Sequence, residues 1–535
     1  MRLSLELLAA LVTLGILSPT CLSSPLYQVK RFKKKSDEEK TQTYWKHIAT
    51  EELNYAIRMK NNNNVAKNVI LFLGDGMSIP SVTAGRIYKG QMSSRSGEEG
   101  RLVFEQFPHV GLSKTYNVNK QVSDSASTAT AYLGGVKTNY KTLGVDASAT
   151  YKDCHSVTEA NKVYSIVKWA QDAGKMTGVV TSTRVTHATP AGTYAHVSDR
   201  DWECDGYLPE DCKDVIKDIG RQLVEDEPGS LINVVMGGGY QCLSANASGT
   251  KDDPVDEDEC VRRDNRDLTM DWINAKKAAG VEYAFVRTKS SLQAVDTSKV
   301  DYLLGVFANS HLQYEQEKRD KHLNVPTLAT MTKTALEILN RGEKGYFLLV
   351  EGGRIDHAHH DNMAHRALDE LVAMDDAIEL ALGMTKEEDT LIVVTADHAH
   401  TMSFSGYPHR GQDITSLAGY DDEDYAYTTL MYANGPGYKE TRVNISAADT
   451  KDWEYRHLAT VPKSSETHGG DDVSIYAIGP MAHLFHGLHE QNYIPYVMAY
   501  SSCIGDYKHD CHGGAERAVP ALTIIILTSF TWILS

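Results

Sequence analysis

Five short runs of apolar, mostly β-branched residues constrain the fold of this chain more than any other feature. They read NVILFLGDG, MTGVVTSTRV, LINVVMGGG, GYFLLVEGG and DTLIVVTADH, and none alternates between apolar and polar residues. Uninterrupted runs of this length are typical of strands that are buried on both faces. Segments such as PTLATMTKTALEIL, with apolar residues three and four positions apart, predict helices between them. The sequence therefore predicts an α/β fold, with a mainly parallel central sheet and helices on both faces.

Acidic residues stand at the carboxyl ends of three of these runs. Asp75, Glu351 and Asp397 each end their own apolar run, and His398 comes directly after Asp397. Ligands bind beyond the carboxyl ends of the strands in such a sheet, so one edge would gather residues that are hundreds of positions apart. The alternative is a set of unrelated acids in solvated loops. We favour a shared site, because the same position recurs in each strand and histidine accompanies two of the acids.

The segment RIDHAHH predicts a helix that presents metal ligands. Asp356 and His360 are four residues apart, so on a helix they share one face and can bind one ion. Asp397 and His398 offer a second pair of oxygen and nitrogen ligands, and this mixture suits zinc. His468 lies in the glycine-rich stretch ETHGGDD, where spacing alone favours a plain loop histidine. We include His468 as a third ligand only because the other candidate ligands are present.

Three further histidines lie close to these ligands in the sequence. His357 and His359 would point to other sides of the predicted helix, and a histidine-rich surface loop is the alternative interpretation. His400 follows the Asp397 pair. We expect it to contact the ligands rather than to bind a metal itself.

Ser125 is the candidate nucleophile. It opens the alanine-rich segment ASTATAYL, which predicts a helix whose amino terminus favours anions. An ordinary helix cap is the alternative, although Asp124 or Ser123 can serve as that cap and leave Ser125 facing the site. No GxSxG motif surrounds Ser125 and no clear serine, histidine and aspartate triad is present, so we expect a metal to activate its hydroxyl.

Composition narrows the class of partner. The chain has 535 residues with 54 lysines and arginines against 71 aspartates and glutamates, a formal net charge of −17. This balance argues against nucleic acid as a partner. Strands of one type run through most of the chain, which favours one large core over several domains.

Six motifs resemble those of the alkaline phosphatase family and occur in the same order. They read LGDGM, DSASTATAYLGGVK, TRVTHATPAGTYAH, VEGGRIDHAHH, TADHAH and THGGDDV, within a similarity that extends from about residue 68 to about residue 501. The chain looks like a eukaryotic, membrane-anchored member. The resemblance implies a phosphomonoesterase that uses two zinc ions and one magnesium ion, and hydrolyses small phosphate monoesters through a phosphoserine.

The resemblance also implies a role for each matching residue. Ser125 would be the nucleophile, Arg200 would bind the phosphate oxygens, and His187 would lie near the magnesium ion. The ligands implied for one zinc ion are Asp356, His360 and His468. Those implied for the other zinc ion are Asp75, Asp397 and His398. Those implied for the magnesium ion are Asp75, Thr189 and Glu351.

Two rival functions are a related metallohydrolase, such as a sulfatase or phosphodiesterase, and a binding protein derived from an inactive enzyme. Ser125 and Arg200 favour phosphate monoesters as substrates. An inactive relative would be expected to have lost at least one ligand, whereas all eight are present.

A calcium site is doubtful. Vertebrate members have a motif that resembles the stretch LLGVF of this chain, and in them a glutamate follows the phenylalanine. This chain has Ala308 at that position. Val325 replaces a second acid before Pro326. Calcium needs oxygen ligands, so the loss of two carboxylates argues against it.

Both ends of the chain carry processing signals. Residues 1–23 combine Arg2 with an apolar run and small residues, which predicts a cleaved secretory signal. Residues 518–535 are a short apolar tail preceded by Gly513, Gly514 and Ala515, which fits a glycosylphosphatidylinositol signal. A short transmembrane anchor is the alternative. We therefore expect a lipid-anchored protein on the extracellular face of the cell membrane.

Between these signals we expect three parts. They are a tail with a helix that contacts the partner of a homodimer (24–64), a catalytic domain (65–503) with a surface crown insertion at about 406–466, and a stalk (504–517). The homodimer and the crown are implied by the family resemblance.

Seven cysteines lie outside the predicted secretory signal, in an oxidising compartment. The resemblance implies the pairs Cys154–Cys212 and Cys503–Cys511. By elimination Cys242 and Cys260 would pair, which leaves Cys204 over. The sequons NAS and NIS predict glycosylation at Asn246 and Asn444 on surface loops.

Overall fold

The computed structural model describes residues 37–509. The predicted secretory signal, the predicted anchor signal and Cys511 lie outside this range. Seventeen strands occur within it: β1 (Asn68–Gly74), β2 (His109–Lys114), β3 (Met176–Arg184), β4 (Val234–Gly238), β5 (Tyr283–Val286), β6 (Tyr302–Val306), β7 (Tyr346–Gly352), β8 (Thr390–Ala396), β9 (Ala399–His400), β10 (Met402–Phe404), β11 (Leu417–Tyr420), β12 (Ala426–Thr428), β13 (Leu430–Gly435), β14 (Ala459–Pro462), β15 (His468–Gly469), β16 (Val473–Ile478) and β17 (Gly487–Glu490).

The α-helices of residues 37–509 are α1 (Gln42–Arg58), α2 (Ile79–Met92), α3 (Ser125–Gly134), α4 (Ile166–Asp172), α5 (Ala188–Ala191), α6 (Ile219–Glu225), α7 (Tyr240–Leu243), α8 (Leu268–Ala279), α9 (Lys289–Gln293), α10 (Glu315–Asp320), α11 (Leu328–Leu339), α12 (Arg354–His360), α13 (Ala364–Met384) and α14 (Tyr493–Ser502). Among these residues no helix is both long and apolar enough to cross a membrane.

Ten strands form the central sheet, in the order β17-β2-β16-β8-β1-β7-β3-β4-β6-β5. All neighbouring pairs are parallel except the two that involve β16, which is antiparallel to both β8 and β2. The five predicted strands are β1, β3, β4, β7 and β8. The predicted α/β class with a mainly parallel sheet is therefore confirmed.

Each face of the sheet is covered by its own apolar core. Along β1, Val69, Leu71 and Leu73 pack into one core and Ile70 and Phe72 into the other, which explains why the run does not alternate with polar residues. Helices α3, α4 and α14 lie over the first core, and α11 and α13 over the second. The carboxyl ends of the central parallel strands β1, β7 and β8 lie together at one edge.

The range 406–466, expected as a surface insertion, contributes strands to two small sheets outside the central one. One contains β10, β13 and β14, and the other pairs β11 with β12. Before the main sheet, the predicted amphipathic helix is α1, which Thr41 caps by accepting a hydrogen bond from the amide of Tyr44. No residue of α1 is buried, and Trp45, Leu53 and Ile57 are exposed.

The structure corrects one cysteine assignment. Cys154 is bonded to Cys212, the pair that the resemblance implied. Cys260, however, is bonded to Cys204, and Cys242 is a buried free thiol, so the pair expected by elimination is wrong. Cys204, Cys242 and Cys260 form one buried cluster, and sequence order does not reveal which two of three adjacent thiols join. The pair Cys503–Cys511 stays a prediction, since Cys511 is outside the described residues.

Candidate metal centre

Three parallel strands bring three buried carboxylates together. Strand β1 lies between β7 and β8, and its last residue, Gly74, is level with Gly352 and Ala396. Asp75 and Asp397 therefore leave neighbouring strands at the same height, and Glu351 stands one residue before the end of β7. All three side chains have 0% relative exposure.

The predicted zinc ligands Asp75, Asp397 and His398 meet at this edge. Ligand atoms of Asp75, Asp397 and His398 lie within 4.8 Å of one another. The His398 Nε2 atom is 3.5 Å from a carboxylate oxygen of Asp75 and 3.1 Å from one of Asp397. Adjacent residues can face one ion here because β8 has ended and no helical geometry separates them.

The predicted zinc ligands Asp356, His360 and His468 also lie close together. Asp356 and His360 lie on α12, whose seven residues confirm the predicted helix, and Nε2 of His360 is 3.4 Å from the Asp356 carboxylate. His468 arrives from β15, which pairs with β9 so that His468 stands opposite His400. Its Nε2 atom is 3.4 Å from Asp356 and 3.2 Å from Nε2 of His360.

The hydrogen bonds of these two histidines show that they are prepared for a cation. Nδ1 of His360 donates to the carbonyl of Glu466 at 2.6 Å, and Nδ1 of His468 donates to the carbonyl of Ser123 at 2.8 Å. Burial lowers the pKa of both rings, so each is neutral with its single proton on Nδ1. The two Nε2 atoms then face each other with lone pairs, and a metal between them is the arrangement that suits such a contact.

The predicted magnesium set surrounds Glu351. Ligand atoms of Asp75, His187 and Glu351 lie within 4.8 Å of one another. Thr181 and Thr183 donate hydrogen bonds to one oxygen of Glu351, and Thr189 accepts a hydrogen bond from the hydroxyl of Tyr132 at 3.1 Å. Thr189 and His187 come from α5 and the residue before it, which follow directly after β3. Oxygen ligands of this kind suit a hard cation such as magnesium.

Unsatisfied carboxylate oxygens test whether cations fit here. Both oxygens of Asp75 and one oxygen of Glu351 accept no hydrogen bond from any residue in the described part of the chain. Burial, followed by repulsion from Asp356 and Asp397, raises the pKa of Asp75 well above its usual range, and burial raises the pKa of Glu351 to about 7. Buried acids this close are stable as anions only beside positive charge, so the donor set fits divalent cations.

Ser125 faces this centre. It begins α3, and Asp124 is the cap, accepting a hydrogen bond from the amide of Ala126. The Ser125 hydroxyl is 3.1 Å from Nε2 of His398. Arg200 lies on the same side, 3.4 Å from the Asp124 carboxylate, and donates a 2.9 Å hydrogen bond to Nε2 of His187. A hydroxyl, a guanidinium and a group of cation ligands thus share one pocket.

Comparison with known proteins decides the family. The alkaline phosphatase family model matches residues 66–504. The tissue-nonspecific isozyme of alkaline phosphatase from Gallus gallus is 46% identical over 499 residues, which cover 92% of this chain and 95% of that protein.

The chain belongs to the alkaline phosphatase family.

A further relative agrees with this assignment, and a solved structure shows the fold. A membrane-bound alkaline phosphatase from Bombyx mori is 44% identical, over 87% of this chain and 85% of that protein. The crystal structure of Thermus thermophilus alkaline phosphatase aligns with a TM-score of 0.58 at 24% identity, covering 82% of this chain and 92% of that chain, and it shows the same fold. The chain is thus an alkaline phosphatase, a metal-dependent phosphomonoesterase.

Sequence reasoning missed one buried residue of this alkaline phosphatase. Glu466 accepts hydrogen bonds from Nδ1 of His400 and, at 2.7 Å, from the amide of Thr401. Nε2 of His400 in turn donates to Asp356 at 2.6 Å. Burial opposes a charge on His400, but Glu466 and Asp356 outweigh it and raise the pKa of the ring to about 10. Protonated His400 therefore holds Asp356 in place, and the acid two residues before His468 was the signal that could have been used.

The other two histidines of α12 make their hydrogen bonds to residues outside the predicted ligand sets, although the His357 ring also packs against His187. Nε2 of His359 is 2.9 Å from the hydroxyl of Ser81, and its Nδ1 is 2.8 Å from that of Tyr432. His357 contacts Arg354 instead, at 2.9 Å.

The two positions that make a calcium site doubtful lie in or against an apolar core. Ala308 is fully buried in the apolar core beneath the sheet, and Val325 packs against the same core. Neither position offers an oxygen ligand from its side chain. We derive no role for calcium.

Proposed function

We propose that this alkaline phosphatase hydrolyses phosphate monoesters through a phosphoserine at Ser125, with two zinc ions and one magnesium ion. The observation that carries the proposal is the position of Ser125, whose hydroxyl lies beside His398 in the pocket that Arg200 also enters. Divalent cations bound there would lower the pKa of a hydroxyl or water and neutralise charge on the transferred phosphoryl group.

The residues of the chain fix the course of the reaction. Arg200 has a planar fork that matches two phosphate oxygens, so it would hold the ester with phosphorus in front of the Ser125 hydroxyl. The serine oxygen forms a bond to phosphorus as the bond to the alcohol breaks, and the alcohol leaves. Water then attacks phosphorus from the side that the alcohol left, opposite the serine oxygen. The bond between phosphorus and the serine oxygen breaks, phosphate leaves, and a proton from the water restores the Ser125 hydroxyl. Two in-line steps retain the configuration at phosphorus.

Trapping of the intermediate tests this role. After incubation with labelled phosphate ester and an acid quench, the unmodified protein should carry label on serine, and Ser125→Ala should carry none. Ser127→Ala is a matched control, because Ser127 lies in the same helix and its hydroxyl instead donates to Asp124. Label that persists in Ser125→Ala, or disappears only in Ser127→Ala, would contradict the assignment.

The metal assignment follows from the donor atoms of each set. We assign zinc to the two sets that contain histidine nitrogen, Asp356 with His360 and His468, and Asp75 with Asp397 and His398. We assign magnesium to Asp75, Thr189 and Glu351, with His187 beside it.

Elemental analysis checks the assignment. The purified protein should contain two zinc ions and one magnesium ion per chain, and no stoichiometric calcium. His360→Ala should lose one zinc ion, whereas Glu351→Gln should lose magnesium and keep both zinc ions. Loss of zinc from Glu351→Gln alone would exchange the two assignments.

We also propose that the protein is a homodimer held on the extracellular face of the cell membrane by a glycosylphosphatidylinositol anchor. The apolar tail supports the anchor, and the Bombyx mori relative is named membrane-bound. The exposed apolar side chains of α1, which are Trp45, Leu53 and Ile57, support a partner surface.

Two measurements separate these proposals. Phosphatidylinositol-specific phospholipase should release activity from membranes, and resistance to it would favour the transmembrane alternative. Light scattering of the released protein should give twice the mass of one chain. The variant Leu53→Asp should shift that mass toward one chain, whereas the exposed and unassigned Asp252→Asn should not.

A further inference from the structure

A buried ion pair lies behind the phosphate-binding side of the site. Nε and Nη2 of Arg184 donate to the two carboxylate oxygens of Glu203 at 2.8 and 2.6 Å. Both residues are about 95% buried, and Thr186 donates a further hydrogen bond to Glu203 at 2.6 Å. Two parallel bonds of this kind fix the relative orientation of the two side chains as well as their distance.

Each member of the pair stands three residues from a group assigned to the site. Arg184 ends β3, and its carbonyl accepts a hydrogen bond from the amide of His187 at 3.0 Å. Glu203 follows Arg200 by three residues. The side chains of Arg200 and His187 are joined by a 2.9 Å hydrogen bond. The four residues therefore form a closed ring, in which the Arg184–Glu203 contact is opposite the Arg200–His187 contact.

A second contact of Arg184 supports the same side of the site. Its Nη1 atom donates to Nε2 of His311 at 2.6 Å. The His311 ring packs edge-on against His187 and His357, with ring centres 5.3 and 4.2 Å apart. Arg184 thus reaches His187 both through its own backbone and through His311.

We propose that Arg184 and Glu203 are positioning residues, which fix Arg200 and His187 so that the guanidinium fork is aimed at the phosphate of the substrate. The inference rests on the proposed role of Arg200 and deepens it. The pair does not touch the substrate. Its effect is geometric, because small displacements of a group that orients a substrate lower rates strongly, by up to about a hundredfold for about 1 Å.

Removal of one charge tests the proposal. Glu203→Gln keeps the shape of the side chain but removes the buried, bidentate charged partner of Arg184, and leaves only the half-exposed Glu259, 3.3 Å from Nη2 of Arg184. We expect the inhibition constant for inorganic phosphate to rise by about tenfold or more, and kcat/KM for an aryl phosphate to fall by a similar factor. Both would be measured well below the melting temperature, with the metal content verified.

A second buried ion pair provides the matched control. Nη2 of Arg262 donates to Asp218 at 2.6 Å, both side chains are almost fully buried, and neither contacts a residue assigned to the site. Asp218→Asn should lower the melting temperature as Glu203→Gln does, yet leave phosphate inhibition unchanged. Equal inhibition constants in Glu203→Gln and the unmodified protein would overturn the proposal, because a purely structural pair would behave in that way.

Two more variants keep the test decisive. If Glu203→Gln folds poorly, the double variant Arg184→Met with Glu203→Leu removes both charges and fills a similar volume, and the same weakening of phosphate inhibition is expected. In an Arg200→Ala background, Glu203→Gln should add little to the inhibition constant, since it acts through Arg200. An additive effect would exclude that route. If Arg200→Ala alone leaves inhibition unchanged, the role of Arg200 itself is wrong.

Discussion

Replacing Asp75 by asparagine should have opposite effects on the metal-free and the metal-loaded protein. Asp75 is fully buried, and both of its oxygens lack a hydrogen bond from the described residues. Burial and neighbouring carboxylates raise its pKa well above the usual range. A group whose pKa is raised on folding destabilises the folded state as pH rises above its unfolded value of about 4. Without metals, the Asp75 carboxyl therefore becomes more unfavourable toward alkaline pH.

The size of the effect follows from the distances. Ligand atoms of Asp75 and Asp397 lie within 4.8 Å, and Coulomb's law at an effective dielectric constant of about 20 gives a repulsion of about 3 kcal/mol there. Asparagine removes this repulsion while keeping the shape. Unfolding entropy of about 2 cal/mol/K per residue over 535 residues converts about 3 kcal/mol into an increase of about 3 °C in melting temperature. In the metal-loaded protein, Asp75→Asn removes a ligand shared by two cations, so the melting temperature should fall instead.

Scanning calorimetry at pH 9, with and without chelator, measures both effects. The chelator-treated Asp75→Asn protein should melt above chelator-treated wild type, and the difference should shrink toward pH 4. Asp252→Asn, an exposed site, makes the same change of charge and should have no effect in either state. A chelator-treated Asp75→Asn protein that melts below wild type at pH 9 would refute the electrostatic reasoning.

Three other changes test separate parts of the structure. Glu466→Gln should weaken zinc binding about ten- to a hundredfold in a chelator competition, because protonated His400 loses its charged partner; unchanged affinity would leave Glu466 without a role. Cys154→Ser opens a loop with a sequence separation of 58, so the free energy of unfolding in urea should fall by about 4 kcal/mol, and an unchanged midpoint would contradict this. Burial opposes ionisation of Glu225, but basic neighbours, above all Arg221, lower its pKa to about 2. Glu225 therefore stabilises the fold above pH 4 and loses this effect toward pH 2. We expect Glu225→Gln to have a lower melting temperature than wild type at pH 5 and the same melting temperature as wild type at pH 2.

The strands at the centre of the sheet were predictable because both of their faces are buried. The run from Asn68 to Gly74 has no exposed residue, so its sequence is apolar throughout and its end is marked by Asp75. Asp356 and His360 were predictable for a similar reason, since a helix fixes the direction of residues four apart. In both cases local geometry alone determines where the side chains lie.

Strand β2 and the last ligand were harder to predict. Strand β2 is only six residues long, and it buries His109 and Ser113 while it exposes Val110 and Leu112, so its apolar residues do not mark the buried face. His468 reaches Asp356 through a two-residue pairing with β9, which leaves no periodic signal in the sequence. The partner of Cys260 depends on the distance between three buried thiols. Contacts between distant segments decided these features, and a single sequence does not encode them locally.

The position of β1 imposes an order on biosynthesis. This strand is the first of the sheet along the chain, yet its two hydrogen-bonded neighbours are β7 and β8, the second of which ends at Ala396. At about 5–20 residues per second, the ribosome needs on the order of half a minute to deliver that partner. Throughout this interval the nascent chain exposes a strongly apolar segment with both backbone edges open, which invites aggregation. The segment therefore has to be kept from aggregating during that time, and a cation site that includes His468 can be completed only after that residue has been synthesised.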